Sequence, residues 1–126
     1  MRSPTIFDSF RYAFAGLWYA LRTQRNVRIH LLVAMGVTAM GLWLRLDALR
    51  WAVLALTIAL VFFAELMNTV TETAVDLVTE EYHPLAKVAK DLSAGAVLVT
   101  ALVAVVVGLL ILGPALLLRL GLVVPD

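Results

Sequence analysis

The sequence predicts an all-α integral membrane protein, with an N-terminal amphipathic surface helix and three transmembrane helices in a single domain over residues 1–126. The chain is 63% hydrophobic and 15% charged, which is too apolar for a soluble domain of this size. Its charged residues also gather in short segments between long runs without a formal charge. The net charge of +1 gives no overall basic field, so nucleic acid is not expected as a partner. The absence of cysteine excludes disulfides, thiolate metal sites and thiol nucleophiles.

The first predicted helix covers about residues 5–26 and is amphipathic. Aromatic and aliphatic residues recur at helical spacing along one side, and arginines and tyrosines lie towards another. The apolar set consists of Phe7, Phe10, Phe14, Leu17, Trp18 and Leu21. A basic, aromatic helix of this kind is expected to lie in the headgroup layer, with its rings in lipid and its arginines on phosphates. The alternative is a helix that packs only on its own protein.

Three further segments are predicted to span the membrane, at about residues 28–46, 49–79 and 85–119. The first contains no formal charge between residues 29 and 44, and the third contains none between residues 92 and 118. At ~1.5 Å per residue the third run is ample for a ~30 Å hydrocarbon core, whereas the first needs a few flanking residues. A polar segment before the third span ends in Pro84, which is typical of the first turn of a new helix.

Basic residues near the helix ends predict the orientation of the chain. Seven lie on the side of the N-terminus and of the segment 80–91, and three lie on the opposite side. The seven are Arg2, Arg11, Arg22, Arg25, Arg28, Lys87 and Lys90, and the three are Arg45, Arg50 and Arg119. Because cytoplasmic segments carry the excess of lysine and arginine, we expect a cytoplasmic N-terminus and a C-terminus outside.

The second span carries a polar stripe where a membrane helix should be apolar. Glu65, Asn68, Glu72 and Asp76 follow one another at intervals that place them within an arc of roughly 80° on one face. A carboxylate at membrane depth is costly and therefore a functional hypothesis. Glu65 is expected roughly 9 Å inside the cytoplasmic edge of the ~30 Å core, and Glu72 ~10 Å further towards the cytoplasm. The stripe thus extends from the reach of a lipid hydroxyl to the reach of a water-soluble cosubstrate.

The residues alone leave three interpretations open. Phosphoryl transfer to a lipid needs acidic ligands for Mg²⁺, cations for phosphates and a carboxylate for the hydroxyl proton, and all three kinds of group are present near one interface. A small proton or cation conductor would use Glu65 as its relay, but residues 54–64 offer only Thr57 as a polar continuation. A structural membrane subunit is the third. His30 and His83 are interpreted as structural residues and Asp76 as a solvated helix end.

Small residues in the third span predict association with another helix. They recur every four positions as Ala96, Thr100, Ala104 and Gly108, a stripe that allows close approach. Three helices also cannot easily bury the polar face of the second span. We therefore expect a homo-oligomer.

Two motifs closely resemble the small prokaryotic diacylglycerol kinase and undecaprenol kinase family. The first is Glu-x-x-Asn-x-x-x-Glu from Glu65 to Glu72, and the second is Ala-Lys-Asp from Ala89 to Asp91. Residues 25–30, 81–87 and 94–98 are also similar, so the resemblance covers essentially the whole chain.

The resemblance implies a homotrimeric enzyme of the bacterial inner membrane. Such an enzyme moves the γ-phosphate of Mg-ATP to a lipid hydroxyl at sites shared between subunits. By this resemblance Glu65 is the general base, Asn68 positions the reacting groups and Glu72 is a metal ligand. Residues 83–87 and 94–98 look more like the undecaprenol kinase branch, which favours undecaprenol over diacylglycerol.

The resemblance also implies the nucleotide-binding residues. Lys90 contacts the phosphates of ATP, Asp91 contacts the nucleotide, and Tyr12 covers the nucleotide from the surface helix. One departure concerns the metal, because Gln24 stands where the family commonly has a second acidic ligand. An amide oxygen can coordinate Mg²⁺ but brings no charge. Either Gln24 coordinates the ion, or Asp76, Glu80 or another acid takes part.

Overall fold

The computed structural model describes residues 5–125, which form four α-helices and no strand. They are α1 (Ile6–Thr23), α2 (Arg25–Leu44), α3 (Ala48–Val78) and α4 (Pro84–Arg119). The predicted all-α class is confirmed, with the surface helix corresponding to α1 and the spans to α2, α3 and α4. Arg2, one of the basic residues used to predict the orientation, lies outside the described residues.

Three of these helices, α2, α3 and α4, are long and apolar enough to cross a membrane. α3 has 31 residues and α4 has 36. At ~1.5 Å per residue each exceeds a ~30 Å hydrocarbon core by roughly 15–25 Å. Both helices are therefore longer than a segment that just crosses the core, and the charged residues Asp76, Lys87 and Lys90 lie within two turns of a helix end.

Local side-chain contacts explain where the helices begin. Thr5 and Asp8 form a capping box at the start of α1. The hydrogen bond from the Thr5 hydroxyl, together with that from the Thr5 N–H, lowers the pKa of Asp8 below its ordinary value. This contribution to helix stability is present above the ordinary carboxyl pKa and is lost as the pH falls through the lowered value. At the start of α4, His83 accepts a hydrogen bond from the Leu85 N–H ahead of Pro84, so its predicted structural role is confirmed.

The turn between α2 and α3 is packed around a glycine. Arg45 ends α2 in the left-handed conformation, with φ at 55°, and its N–H donates to the Gly41 and Leu42 carbonyls. Gly41 is buried beneath the Trp51 ring of α3, and a Cβ at this position would lie 2.7 Å from the ring atom Cη2. The Trp51 ring therefore joins α3 to α2.

Replacing Gly41 by leucine is expected to destabilise the protein. The new side chain collides with the Trp51 ring, and overpacking of this kind costs about 1–3 kcal/mol. Thermal unfolding in detergent should show the loss as a lower Tm. Gly36→Leu is the matched control, because a Cβ at Gly36 meets no heavy atom within 4 Å. Equal Tm values for the two variants would contradict this account of the turn.

α3 has more buried residues than any of the other three helices, whereas α1 is largely uncovered. The buried residues of α3 follow one face and are Leu54, Val61, Ala64, Glu65 and Thr69. In α1 only Ala20 is buried, whereas the aromatic residues Phe7, Phe10, Phe14 and Trp18 are exposed. The chain itself therefore does not cover the apolar face of α1, which is the arrangement expected for a helix that lies in the headgroup layer.

Candidate active site

The buried carboxylate of α3 is paired with a histidine of α2. Glu65 is 2% exposed, and its Oε1 lies 3.0 Å from His30 Nε2. Sequence reasoning assigned His30 a structural role and missed this contact. The expected membrane depths of the two residues could have indicated it. His30 lies five residues after Arg25, or ~7.5 Å along the helix axis, which is close to the depth expected for Glu65. A buried carboxylate needs a polar partner, and His30 is the polar residue of α2 at that level.

One turn further along α3, an amide links the next carboxylate to α4. Asn68 Nδ2 donates to Glu72 Oε1 at 3.2 Å. Ser93 Oγ lies 2.7 Å from Asn68 Oδ1 and 2.9 Å from the Lys90 carbonyl oxygen. Because a hydroxyl has a single proton, Ser93 shares it between these two acceptors. Its contact with Oδ1 orients the amide so that Nδ2 points to Glu72, a role that the sequence did not indicate.

Two of the three residues predicted to bind nucleotide, Lys90 and Asp91, form ion pairs within the chain. Lys90 Nζ lies 2.6 Å from Asp76 Oδ1 and joins α4 to α3, and Asp91 pairs with Lys87 one turn away. Asp76 is therefore exposed, as predicted for a solvated helix end, but also paired. Exposed ion pairs contribute only about 0.2–1 kcal/mol, so a polyphosphate can displace Asp76 from Lys90.

Gln24 forms the junction between α1 and α2. Its N–H donates to the Ala20 carbonyl at 2.8 Å, and its own carbonyl accepts from the Arg28 N–H at 3.4 Å. Within residues 5–125 the Gln24 side chain forms no hydrogen bond, to Glu72 or to any other group. Within the same residues there is also no group of three His, Asp or Glu side chains able to hold a metal ion. Glu72 is the carboxylate of the stripe beside Asn68, and one or two carboxylates together with substrate phosphates are enough to hold Mg²⁺.

A cleft separates α1 from the polar half of α3. Its volume is about 620 Å³, and Tyr12, Gly16, Ala20, Thr69 and Thr73 are among its lining residues. Tyr12 is largely exposed, with the Arg11 guanidinium 5.4 Å from its ring centroid. The structure therefore places Tyr12 beside α3, in an open cleft next to the stripe.

A second cavity of about 540 Å³ is an apolar groove bounded by α2, α3 and α4. It extends from His30 and Ala101 at one end to Met40 and Leu116 at the other. Ala104 and Gly108 of the small-residue stripe line the groove, and a Cβ at Gly108 would meet no heavy atom within 4 Å. We call this cavity the apolar groove. It ends at the histidine that is bonded to the buried carboxylate.

Comparison with known proteins identifies the family. The family model for prokaryotic diacylglycerol kinase matches residues 11–112, a range that contains all the candidate site residues. The chain belongs to the prokaryotic diacylglycerol kinase family. The family and the enzyme class predicted from the motifs, a phosphotransferase with an alcohol acceptor, are thereby confirmed.

Individual members of the prokaryotic diacylglycerol kinase family are similar over most of the chain. A diacylglycerol kinase of Synechocystis sp. is 52% identical over 116 residues, covering 91% of this chain and 66% of that protein. An undecaprenol kinase of Bacillus subtilis is 44% identical over 110 residues, covering 87% of this chain and 89% of that protein. A diacylglycerol kinase of Escherichia coli is 31% identical over 101 residues, covering 80% and 83% respectively. Three candidate spans and bacterial relatives indicate a bacterial membrane protein.

Proposed function

We propose that the chain transfers the γ-phosphate of Mg-ATP to the hydroxyl of a membrane lipid. The observation that supports this proposal is the order of the polar and charged side chains along α3. The apolar groove ends at His30, which is bonded to Glu65. The amide–carboxylate pair of Asn68 and Glu72 follows, and Lys90 lies beyond it. This order leads from a lipid environment to a polyphosphate environment along one face of one helix. The orientation predicted from the basic residues places the polyphosphate end in the cytoplasm.

The proposed lipid site uses the apolar groove for the hydrocarbon chain. Apolar lining along the length of the groove suits such a chain and brings the hydroxyl to the end at His30. The proton of the hydroxyl leaves towards Glu65, the general base, as the oxygen attacks the γ-phosphorus. Asn68, oriented by Ser93, positions the reacting groups one turn away.

The proposed nucleotide site uses Glu72 and the cytoplasmic end of α4. Glu72 Oε1 accepts from Asn68, which leaves Oε2 for a metal ion carried by ATP. Mg²⁺, when bound, neutralises charge on the phosphate oxygens. Lys90 exchanges Asp76 for a phosphate, Asp91 contacts the nucleotide, and Tyr12 covers it from α1. Because Gln24 brings no charge, Glu72 supplies the main protein contact to the ion.

Between the two candidate lipids we propose undecaprenol first and diacylglycerol second. The undecaprenol kinase of Bacillus subtilis matches this chain over 89% of its own length. Diacylglycerol is favoured by the higher identity of 52% to the Synechocystis protein, of which 66% is covered. The resemblance of residues 83–87 and 94–98 to the undecaprenol kinase branch favours undecaprenol.

Purified protein tests the function directly when it is supplied with Mg-ATP and a panel of undecaprenol, diacylglycerol and ceramide. We expect phosphate on undecaprenol, with diacylglycerol as the slower acceptor. Transfer to none of the three would refute the proposed function for these substrates. A conductor is disfavoured because Thr57 in the apolar groove donates its hydroxyl to the Val53 carbonyl, so the polar stripe does not continue across the membrane.

We further propose that the enzyme is a homotrimer with shared sites. The open cleft of α1 and the exposed Asp91 leave room for contacts from a neighbouring subunit. Native mass spectrometry from detergent should give three copies. An active monomer would contradict this assembly.

Filling the apolar groove is expected to weaken lipid binding. Gly108→Leu introduces a side chain into open space within the groove and displaces about two or three methylenes of the lipid. At ~0.8 kcal/mol per methylene the KM for lipid should rise by roughly 10–50-fold, with the KM for ATP unchanged. Gly36→Leu, with the same change outside the groove, is the control. Loss of assembly with an unchanged lipid KM would instead assign the groove to a neighbouring helix.

A further inference from the structure

We propose that the Asn68 amide is a second protein ligand of the metal ion that ATP carries, and that Ser93 allows this amide to turn towards the ion. In the turned amide Oδ1 lies beside Glu72, and Nδ2 donates to Ser93. Asn68 then positions the γ-phosphate through the ion. The inference rests on the proposed lipid kinase function and names an oxygen that supplements Glu72 where Gln24 brings no charge.

The spacing between Asn68 and Glu72 suits two ligands of one ion. Asn68 Nδ2 lies 3.2 Å from Glu72 Oε1. Mg²⁺ prefers an octahedron of oxygens at roughly 2.0–2.1 Å, in which neighbouring oxygens are about 3 Å apart. A half-turn of the amide about its Cβ–Cγ bond exchanges Nδ2 and Oδ1. An oxygen then takes the place of Nδ2, at close to the spacing from Oε1 that Mg²⁺ requires.

The charge of the ion favours the turned amide. In the structure Nδ2 directs an N–H hydrogen at Glu72 Oε1, and this hydrogen is the positive end of its bond. A cation on Glu72 repels that hydrogen and attracts the amide oxygen, because neutral amide oxygens are ordinary ligands of hard cations. The turn also frees Oε1 of its hydrogen bond, so that both Glu72 oxygens become available to the ion.

Ser93 is surrounded by more acceptors than it has protons. Its Oγ lies 2.7 Å from Asn68 Oδ1 and 2.9 Å from the Lys90 carbonyl oxygen. One hydroxyl proton cannot complete both hydrogen bonds at once, although the hydroxyl oxygen can still accept one. When the amide turns, Ser93 donates to the Lys90 carbonyl and accepts from Asn68 Nδ2. Both contacts of Ser93 are then complete, so the turned arrangement gains a hydrogen bond at this residue.

Isotope labelling tests the proposal, because the chain contains only two asparagines, Asn26 and Asn68. In the variant Asn26→Gln, asparagine labelled with ¹³C at Cγ enters the chain at Asn68 alone. Mn²⁺ serves as a paramagnetic probe that favours the same oxygen ligands as Mg²⁺, and it is supplied with a non-hydrolysable ATP analogue. Electron–nuclear double resonance then measures the coupling between the ion and the label. We expect a through-bond coupling, which requires Oδ1 to be bound to the ion.

Ser93→Ala measures what the turned amide gains from the hydroxyl. Alanine cannot accept from Nδ2, so the turned amide loses one hydrogen bond. The concentration of Mg²⁺ needed for half-maximal ATP binding should therefore rise by about 2–10-fold, the usual effect of one hydrogen bond. Thr38→Val is the matched control, because it removes a hydroxyl that donates to the Ala34 carbonyl within α2. Its Mg²⁺ requirement should equal that of wild type.

A double variant separates this positioning role from a general loosening of α4. Asn68→Leu has no amide to turn, so adding Ser93→Ala to it should leave the Mg²⁺ requirement of the single variant unchanged. A loosened α4 would instead raise the requirement equally with and without the amide. An equal rise in both backgrounds would therefore overturn the role of Ser93.

The outcomes separate this inference from the proposed function. Phosphate transfer by the wild-type protein, together with a through-space coupling alone, overturns the inference and leaves the lipid kinase function in place. A through-bond coupling together with the expected rise in Ser93→Ala supports it. Absence of transfer by the wild-type protein to every lipid of the panel refutes the proposed function itself.

Discussion

Replacing Glu65 by glutamine is expected to lower kcat for lipid phosphorylation by about 10³-fold, within the range typical for loss of acid–base catalysis. The glutamine amide has nearly the same shape as the carboxylate and can accept the hydrogen bond from His30 through its Oε1. It is not basic, however, so it cannot accept the proton of the lipid hydroxyl. The chemical step should therefore fail while the contact between α2 and α3 persists.

The fold should tolerate this change, because Glu65 is buried and a neutral amide is less costly to bury than a carboxylate. Tm and the affinity for ATP are expected to stay close to wild type. The matched control is Glu81→Gln, which neutralises a carboxylate in the loop where only backbone atoms of Glu81 contact Thr79. Near-normal turnover in Glu65→Gln would contradict the role of Glu65 as the general base.

The helices could be predicted from the sequence because their limits are local. Charges between apolar runs mark the ends of the spans, and Pro84 begins α4 as its lack of an N–H predicts. The common helix face of Glu65, Asn68 and Glu72 follows from their spacing along α3. These quantities depend on spacing within a single element, which a sequence displays directly.

The partners in the site could not be predicted in the same way, because each joins two different helices. His30 meets Glu65 across 35 positions of sequence, and Ser93 meets Asn68 across 25. Lys90 similarly meets Asp76, which changes a residue expected to be only solvated into one end of an interhelical ion pair. Such contacts depend on how helices rotate and slide against one another, which spacing within one helix does not fix.

Replacing Glu72 by glutamine is expected to weaken nucleotide binding only in the presence of Mg²⁺. Glu72 is the proposed carboxylate ligand, and the amide at Gln24 supplies no second charge. Loss of even an outer partner of a metal ligand commonly costs about 10–100-fold, so the concentration of Mg²⁺ needed for half-maximal ATP binding should rise by at least this factor. Without Mg²⁺ the variant is expected to bind ATP more tightly than the wild type, because removing a negative charge near a triphosphate favours binding.

Equilibrium ATP binding across a Mg²⁺ titration measures this effect without relying on turnover. Gln24→Glu is the complementary variant: if Gln24 faces the same ion as Glu72, an added carboxylate should lower the Mg²⁺ requirement. Glu80→Gln and Asp76→Asn test whether another acid binds the ion in place of Gln24. Either variant would raise the Mg²⁺ requirement only if the carboxylate it removes coordinates Mg²⁺. An unchanged Mg²⁺ titration in Glu72→Gln would contradict its role as a ligand and leave Glu72 as the acceptor that holds the Asn68 amide in place.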